Sequence, residues 1–197
     1  MCFKRYIHLW AQRRIVRKAA RVLQRGGLLL YPTDTLWGIG CDAANEQAVK
    51  KIFALKQRAD SKSLIVIADS MAMVARYVPH IPEAAAALVA SATQPLTVIY
   101  PQATGVAPSV AAADGSLAVR VVQHAFCRAL LRRFGRPIIS TSANLSGAPA
   151  PAAFCDIDGA ILKGVDFVVP PAMEQNATRR PSSIVKLGDD GKIVALR

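Results

Sequence analysis

Short apolar runs alternate along this chain with longer stretches whose apolar residues fall three and four apart. That is the pattern of strands interleaved with amphipathic helices. Ile15, Ala19, Val22 and Leu23 keep helical spacing and predict a helix over 12–25, stopped by Gly26-Gly27. The run 28–31 reads as a strand entering Pro32-Thr33-Asp34-Thr35. Asn45 is placed to cap a helix over 46–58, with Val49, Ile52, Phe53 and Leu55 as its stripe. A strand over 64–68 follows, and Ser70 caps a short helix after it. An alanine-rich helix is predicted over 82–92, and strands over 96–100 and 117–122 flank an Ala/Gly/Pro-rich loop at 104–115. A helix over 125–134 ends at Gly135, just before the short buried strand Ile138-Ile139. A turn at 148–151 and late strands at 167–169, 183–187 and 193–196 complete the pattern. There is no internal repeat and no linker-like stretch, which predicts one α/β domain over 1–197.

Composition narrows the class. No apolar run reaches membrane-spanning length, so a soluble protein with no membrane segment is expected. Cys2, Cys41, Cys127 and Cys155 are scattered without metal or disulfide spacing, which suits reduced thiols in the cytoplasm. His8, His80 and His124 make no ligand pattern, and carboxylates are too few for paired-acid chemistry. The net charge is +12, which implies attraction to polyanions or leaves simply a basic surface. The charge is unevenly placed. No acidic residue precedes Asp34, whereas Lys4, Arg5, Arg13, Arg14, Arg17, Lys18, Arg21 and Arg25 all do. The helical spacing through this stretch continues into the first strand, so it reads as part of the fold rather than as a cleavable leader.

Four clusters carry candidate chemistry. Ser140-Thr141-Ser142-Ala143-Asn144-Leu145-Ser146-Gly147 follows a buried strand, the position where open α/β sheets place ligands. If it stays extended, Ser140, Ser142 and Asn144 share one face. The alternative is a polar turn that caps the next helix. Tyr31-Pro32-Thr33-Asp34-Thr35-Leu36-Trp37-Gly38 also follows a strand, and suits a ligand with an amine and a hydroxyl or an Asx-type turn with a packed Trp37. Lys56, Arg58 and Lys62 would converge on a polyphosphate if their loop is extended, although cations at a helix end also offset its negative pole. No glycine-rich P-loop or dinucleotide motif is present. Arg120, within the apolar strand after Ser116, needs a carboxylate partner, either from a ligand or from Asp34 or Asp114.

Together the segments 31–40, 55–62, Pro95-Leu96-Thr97, 116–120, 137–147 and 181–187 resemble, in order, the YrdC/TsaC family of threonylcarbamoyl-AMP synthases. The resemblance implies a single-domain α/β fold, with a twisted mixed β-sheet flanked by helices around a large basic concave cavity. It implies formation of threonylcarbamoyl-AMP and pyrophosphate from L-threonine, bicarbonate or CO₂, and ATP, on the way to N6-threonylcarbamoyladenosine in tRNA. Lys56, Arg58, Ser142 and Asn144 would be the catalytic set. Arg58, Lys62, Ser116, Ser142 and Asn144 would bind ATP, and Thr35, Arg120, Ser140 and Ser182 would bind threonine, with Ser183 competing for the last place. Mg²⁺ would enter with ATP, with no site supplied by the protein alone. The short form implies other tRNA-threonylcarbamoylation proteins as partners, and tRNA or double-stranded RNA as a direct ligand. Trp37, Ser63 and Val122 depart from the family's usual residues and bear on pocket shape. A non-enzymatic RNA-binding module and an inactive paralogue of the same fold are the alternatives; few aromatics are present for base stacking.

Overall fold

Helix α1 (Cys2–Gln24) leads into strand β1 (Leu29–Tyr31), and the chain then builds one mixed sheet. The computed structural model describes the backbone of residues 2–57, 64–188 and 192–197, and side chains from residue 11 onward. The remaining elements, in order, are β2 (Gly38–Gly40), α2 (Glu46–Lys56), β3 (Ile65–Ala68), α3 (Met71–Val74), α4 (Glu83–Ser91), β4 (Leu96–Tyr100), β5 (Leu117–Val121), α5 (Ala125–Phe134), β6 (Ile138–Ser142), α6 (Gly159–Gly164), β7 (Phe167–Val168), β8 (Ser183–Leu187) and β9 (Ile193–Ala195). Among the described residues the sheet order is β7-β1-β2-β6-β3-β5-β4-β8-β9. The β1–β7, β3–β5 and β4–β8 pairs are parallel and the others antiparallel, as a mixed sheet requires. The expected mixed α/β architecture is therefore present.

Local chemistry explains most boundaries. The Asn45 side chain accepts from the Ala48 N–H, and Ser70 accepts from Met73 N–H, so both predicted caps form. Helix α5 buries Phe126, Cys127, Leu130, Leu131 and Phe134 on one face and ends at Gly135, whose φ of 83° suits the residue without a Cβ. Helix α2 stops earlier than the predicted 58, because Gln57 takes a left-handed conformation and its N–H closes onto Ala54 and Phe53 carbonyls. Helix α1 begins at Cys2, ahead of the predicted 12, and packs against α5 and β1. No helix among the described residues is long and apolar enough to cross a membrane.

Two strand assignments differ from expectation, for the same reason. Strand β2 falls where the sequence pattern predicts no element, and Gly40 sits where an added Cβ would be 2.3 Å from the Ile139 carbonyl oxygen and 2.7 Å from the Tyr31 ring. The glycine is there so that β1, β2 and β6 can approach closely. Strand β6 runs beyond Ile139 to Ser142, because Ile65, Ile39 and Gly38 stand opposite Ser140, Thr141 and Ser142 in the ladders. A polar strand end has no local hydrophobic signature, so only its partners reveal it.

Candidate functional site

Two nearby stretches of the sheet carry the candidate chemistry, and along β5 strand alternation separates it from the core. Along β5, Ala118 and Arg120 point into a hollow of about 520 Å³, while Leu117 and Val119 belong to the apolar core. Along β6, Ser140, Thr141 and Ser142 all line the same hollow, while Ile138 and Ile139, earlier in the strand, belong to that core. The β1–β2 loop brings in Thr35, the turn after β6 brings in Asn144, and the residue before β8 is Ser182. Six residues named from the sequence thus share one wall: Thr35, Arg120, Ser140, Ser142, Asn144 and Ser182.

Their partners define what each can still do. Arg120 is almost fully buried, and its Nη2 lies 3.4 Å from Asp34 Oδ1 and 3.5 Å from Thr33 Oγ1. Asp34 was one of the two protein partners open to Arg120, and it is the one that pairs; Asp114 instead bonds Ser116 and Lys186. The other Asp34 oxygen accepts from the Gln123 N–H at 2.9 Å, which fixes the carboxylate that aims the guanidinium. The buried Arg120 Nε has no hydrogen-bond partner, and a buried charged donor without an acceptor is costly. Thr35 Oγ1 lies 2.9 Å from Thr33 Oγ1, and Ser182 Oγ lies 2.7 Å from Thr97 Oγ1. Ser182 is buried at the hollow, whereas Ser183 is exposed, starts β8 and is not among the lining residues. Asn144 donates through Nδ2 to the Leu145 and Ala148 carbonyls, and its buried Oδ1 lacks a donor.

Three expectations come out differently. Lys56 was expected to face a triphosphate. It is 3 % exposed in the last turn of α2, and its ammonium donates to the carbonyls of Ser142 and Asn144. A buried ammonium needs acceptors, and these backbone oxygens supply them. Lys56 therefore positions the polar turn and is not among the residues lining the hollow. Ser116 was expected at the nucleotide. Its N–H instead bonds Asp114 at 3.0 Å, and Ser116 and Lys186 hold the Asp114 carboxyl down to about 2. It too lies outside the hollow's lining. The expected basic cavity shows two cations in its described lining, Arg120 and Arg197. Arg58 and Lys62, on which the rest of that expectation depends, lie outside the described residues.

Sequence reasoning missed Arg197 and left Trp37 undecided. Arg197 follows β9, and its Nε donates to the Ser182 carbonyl at 3.2 Å, so the end of the sheet folds a guanidinium against the hollow. An isolated arginine after an exposed strand carries no local signal of this; only β8–β9 pairing creates it. Trp37 is packed, as the turn reading required, and also lines the hollow. Its indole N–H donates to Glu174 Oε2 at 3.0 Å and its ring sits 4.9 Å from that of Phe154. Burial pushes the neighbouring Tyr31, Cys41 and Cys127 groups up in pKa, so they stay protonated and neutral.

The chain is similar to known proteins over most of its length. The Sua5/YciO/YrdC family model, described as telomere recombination, matches residues 21–197. A protein of Halorhodospira halophila named threonylcarbamoyl-AMP synthase is 36 % identical over 170 residues, covering 86 % of this chain and 88 % of its own. A protein of Methylococcus capsulatus with the same name is 42 % identical over 134 residues, covering 67 % and 72 %. The crystal structure of P. abyssi Sua5 complexed with L-threonine superposes with a TM-score of 0.81 at 30 % identity. That alignment covers 92 % of this chain and 53 % of the P. abyssi chain, so this protein spans about half the length of that relative.

Proposed function

This chain belongs to the Sua5/YciO/YrdC family, and on that premise we propose that it is a threonylcarbamoyl-AMP synthase acting towards N6-threonylcarbamoyladenosine in tRNA. The observation that carries the reading is the gathering of Thr35, Arg120, Ser140, Ser142, Asn144 and Ser182 around one hollow from separate strands and loops. The substrates are L-threonine, bicarbonate or CO₂, and ATP with its Mg²⁺.

The threonine amine adds to CO₂ and loses a proton, giving a carbamate. A carbamate oxygen then attacks the α-phosphorus, the α–β bridging bond breaks, and pyrophosphate leaves. No protein acid or base is needed for bond making, so catalysis rests on positioning and charge neutralisation. Arg120, aimed by Asp34 and with Nε unpartnered, takes the threonine carboxylate. Thr35, Ser140 and Ser182 surround the amino acid's polar groups. Asn144 Oδ1 and Ser142 meet the nucleotide, and Lys56 keeps their turn in place. Arg197, Arg58 and Lys62 supply charge for the phosphates. Mg²⁺ would be held by ATP rather than by a site of the protein's own, and would help neutralise the charge that leaves with pyrophosphate. The product is consumed by other tRNA-threonylcarbamoylation proteins.

Pyrophosphate release, measured with ATP, bicarbonate and threonine each omitted in turn, tests the reading. Release that requires all three supports it. Release that ignores threonine, or none at all with folded protein, refutes it.

A further inference from the structure

Segment 174–182, between β7 and β8, runs beside the β1–β2 loop and ends at the hollow with Pro181 and Ser182. Little burial holds its middle. Gln175, Asn176 and the run from Thr178 to Pro181 are exposed. Asn176 and Arg179 have φ of 50° and 55°, left-handed conformations that residues with a Cβ seldom adopt and keep only where their surroundings enforce them. A segment of this kind opens readily unless it is tied down.

Among the described residues, three hydrogen bonds tie it to the β1–β2 loop. The Thr178 N–H donates to the Asp34 carbonyl and the Arg179 N–H to the Thr35 carbonyl, each at 3.0 Å. The third is the Trp37 indole N–H on Glu174 Oε2, also at 3.0 Å. Its acceptor is a carboxylate, which makes it the charge-assisted one of the three. Its donor is fixed in place, because Trp37 is buried and its ring packs on that of Phe154. The two backbone ties fall on Asp34, which pairs with Arg120, and on Thr35, which lines the hollow. The far end of the segment is Ser182, held on Thr97 Oγ1. The segment therefore joins Thr35, Ser182 and the residue that aims Arg120, whereas the turn from Ser142 to Asn144 is held by Lys56.

We propose that Glu174 is a positioning residue for the amino acid, clasping segment 174–182 onto the β1–β2 loop through the Trp37 indole. Its kinetic consequence rests on the synthase reading; the clasp itself does not. Glu174 does not line the hollow, so it acts only through the groups it holds. Its carboxylate also faces the buried His124 ring, whose pKa burial lowers, so at about pH 8 that ring is neutral.

Three variants studied at about pH 8 test the proposal. Glu174→Ala removes the acceptor. Glu174→Gln keeps an oxygen that accepts the indole N–H. Trp37→Phe keeps an aromatic ring without the donor. Amide exchange at Thr178 and Arg179, followed by NMR, reads the clasp, and threonine-dependent pyrophosphate release reads its consequence. Glu174→Ala is expected to speed exchange at both amides by roughly tenfold or more, with the β3 and β5 amides unchanged. It is also expected to raise the KM for threonine by roughly tenfold while the KM for ATP stays within about twofold. Glu174→Gln is expected to stay within about threefold of wild type in both readouts. In the Trp37→Phe background Glu174→Ala is expected to add little, because the bond is already lost. Unchanged exchange, faster exchange with an unchanged KM for threonine, or equal losses for both substrates overturns the proposal. So does a general rise in exchange across the sheet, which would show a role in stability alone, or full additivity with Trp37→Phe, which would place the action of Glu174 on His124 instead. A wild type without threonine-dependent release refutes the synthase reading, and the exchange rates then decide the clasp by themselves.

Discussion

Replacing Lys56 by methionine removes the ammonium that ties α2 to the turn after β6 while keeping most of the side chain's volume. Two charge-assisted hydrogen bonds disappear, to the Ser142 and Asn144 carbonyls. Each such bond contributes about 1.5–3 kcal/mol. The variant also avoids desolvating an ammonium that is 3 % exposed, an offset of several kcal/mol. The bonds together are about 3–6 kcal/mol, so after the offset the net loss of stability is at most about 3 kcal/mol. The Ser146 N–H still donates to the Lys56 carbonyl at 2.8 Å, so the turn stays attached and the protein still folds. What changes is the aim of Ser142 and Asn144. A displacement of a fraction of an ångström there is expected to lower kcat/KM for pyrophosphate release by about 10²-fold, or about 2.7 kcal/mol of barrier. Urea unfolding measured beside the threonine-dependent assay separates the two effects. A double-mutant cycle with Asn144→Ala tests the route: if Lys56 acts by holding the turn, the second substitution adds little to the first. A Lys56→Met enzyme within roughly threefold of wild type, or fully additive losses, would refute the reasoning.

Arg120→Met is expected to raise the KM for threonine by about 10²-fold or more with a far smaller effect on ATP, read from pyrophosphate kinetics, because it removes the charge proposed to meet the carboxylate; equal losses for both substrates would place Arg120 in the fold alone. Gly40→Ala forces a Cβ to within 2.3 Å of a backbone oxygen and should lower the unfolding free energy by about 1–3 kcal/mol or more in urea, an unchanged midpoint being the refuting result. His124 is buried, and burial lowers its pKa while the nearby Asp34 and Glu174 oppose the shift. The folded state therefore holds the neutral ring, whereas the unfolded chain takes a proton near pH 6.5. Its contribution is complete above that pH and is lost as pH falls towards the folded pKa, at up to about 1.4 kcal/mol per pH unit. His124→Gln should flatten the pH dependence of the urea midpoint below pH 6.5, and an identical profile would show that the ring does not titrate in this way.

What was readable along the chain was whatever a few neighbouring residues decide. Asn45 and Ser70 cap their helices because the acceptor and the free N–H groups lie within three residues of each other. The stripe of α5 and its Gly135 stop are equally local. The composition of the site was legible too, because hydroxyls, amides and an arginine at strand ends have few other uses in an apolar sheet, and Thr35, Arg120, Ser140, Ser142, Asn144 and Ser182 do share one hollow.

The tertiary structure alone decided which cation does what. Lys56 faces carbonyls contributed from 86 and 88 residues away, and Arg120 finds Asp34 on a different strand's loop. Arg197 reaches the hollow only through strand pairing, and β2 exists only because β1 and β6 press on two glycines. Amphipathic period and capping are settled by neighbours in sequence. The partner of a buried charge is settled by desolvation, which forces each charge onto whatever acceptor the distant chain has brought within reach.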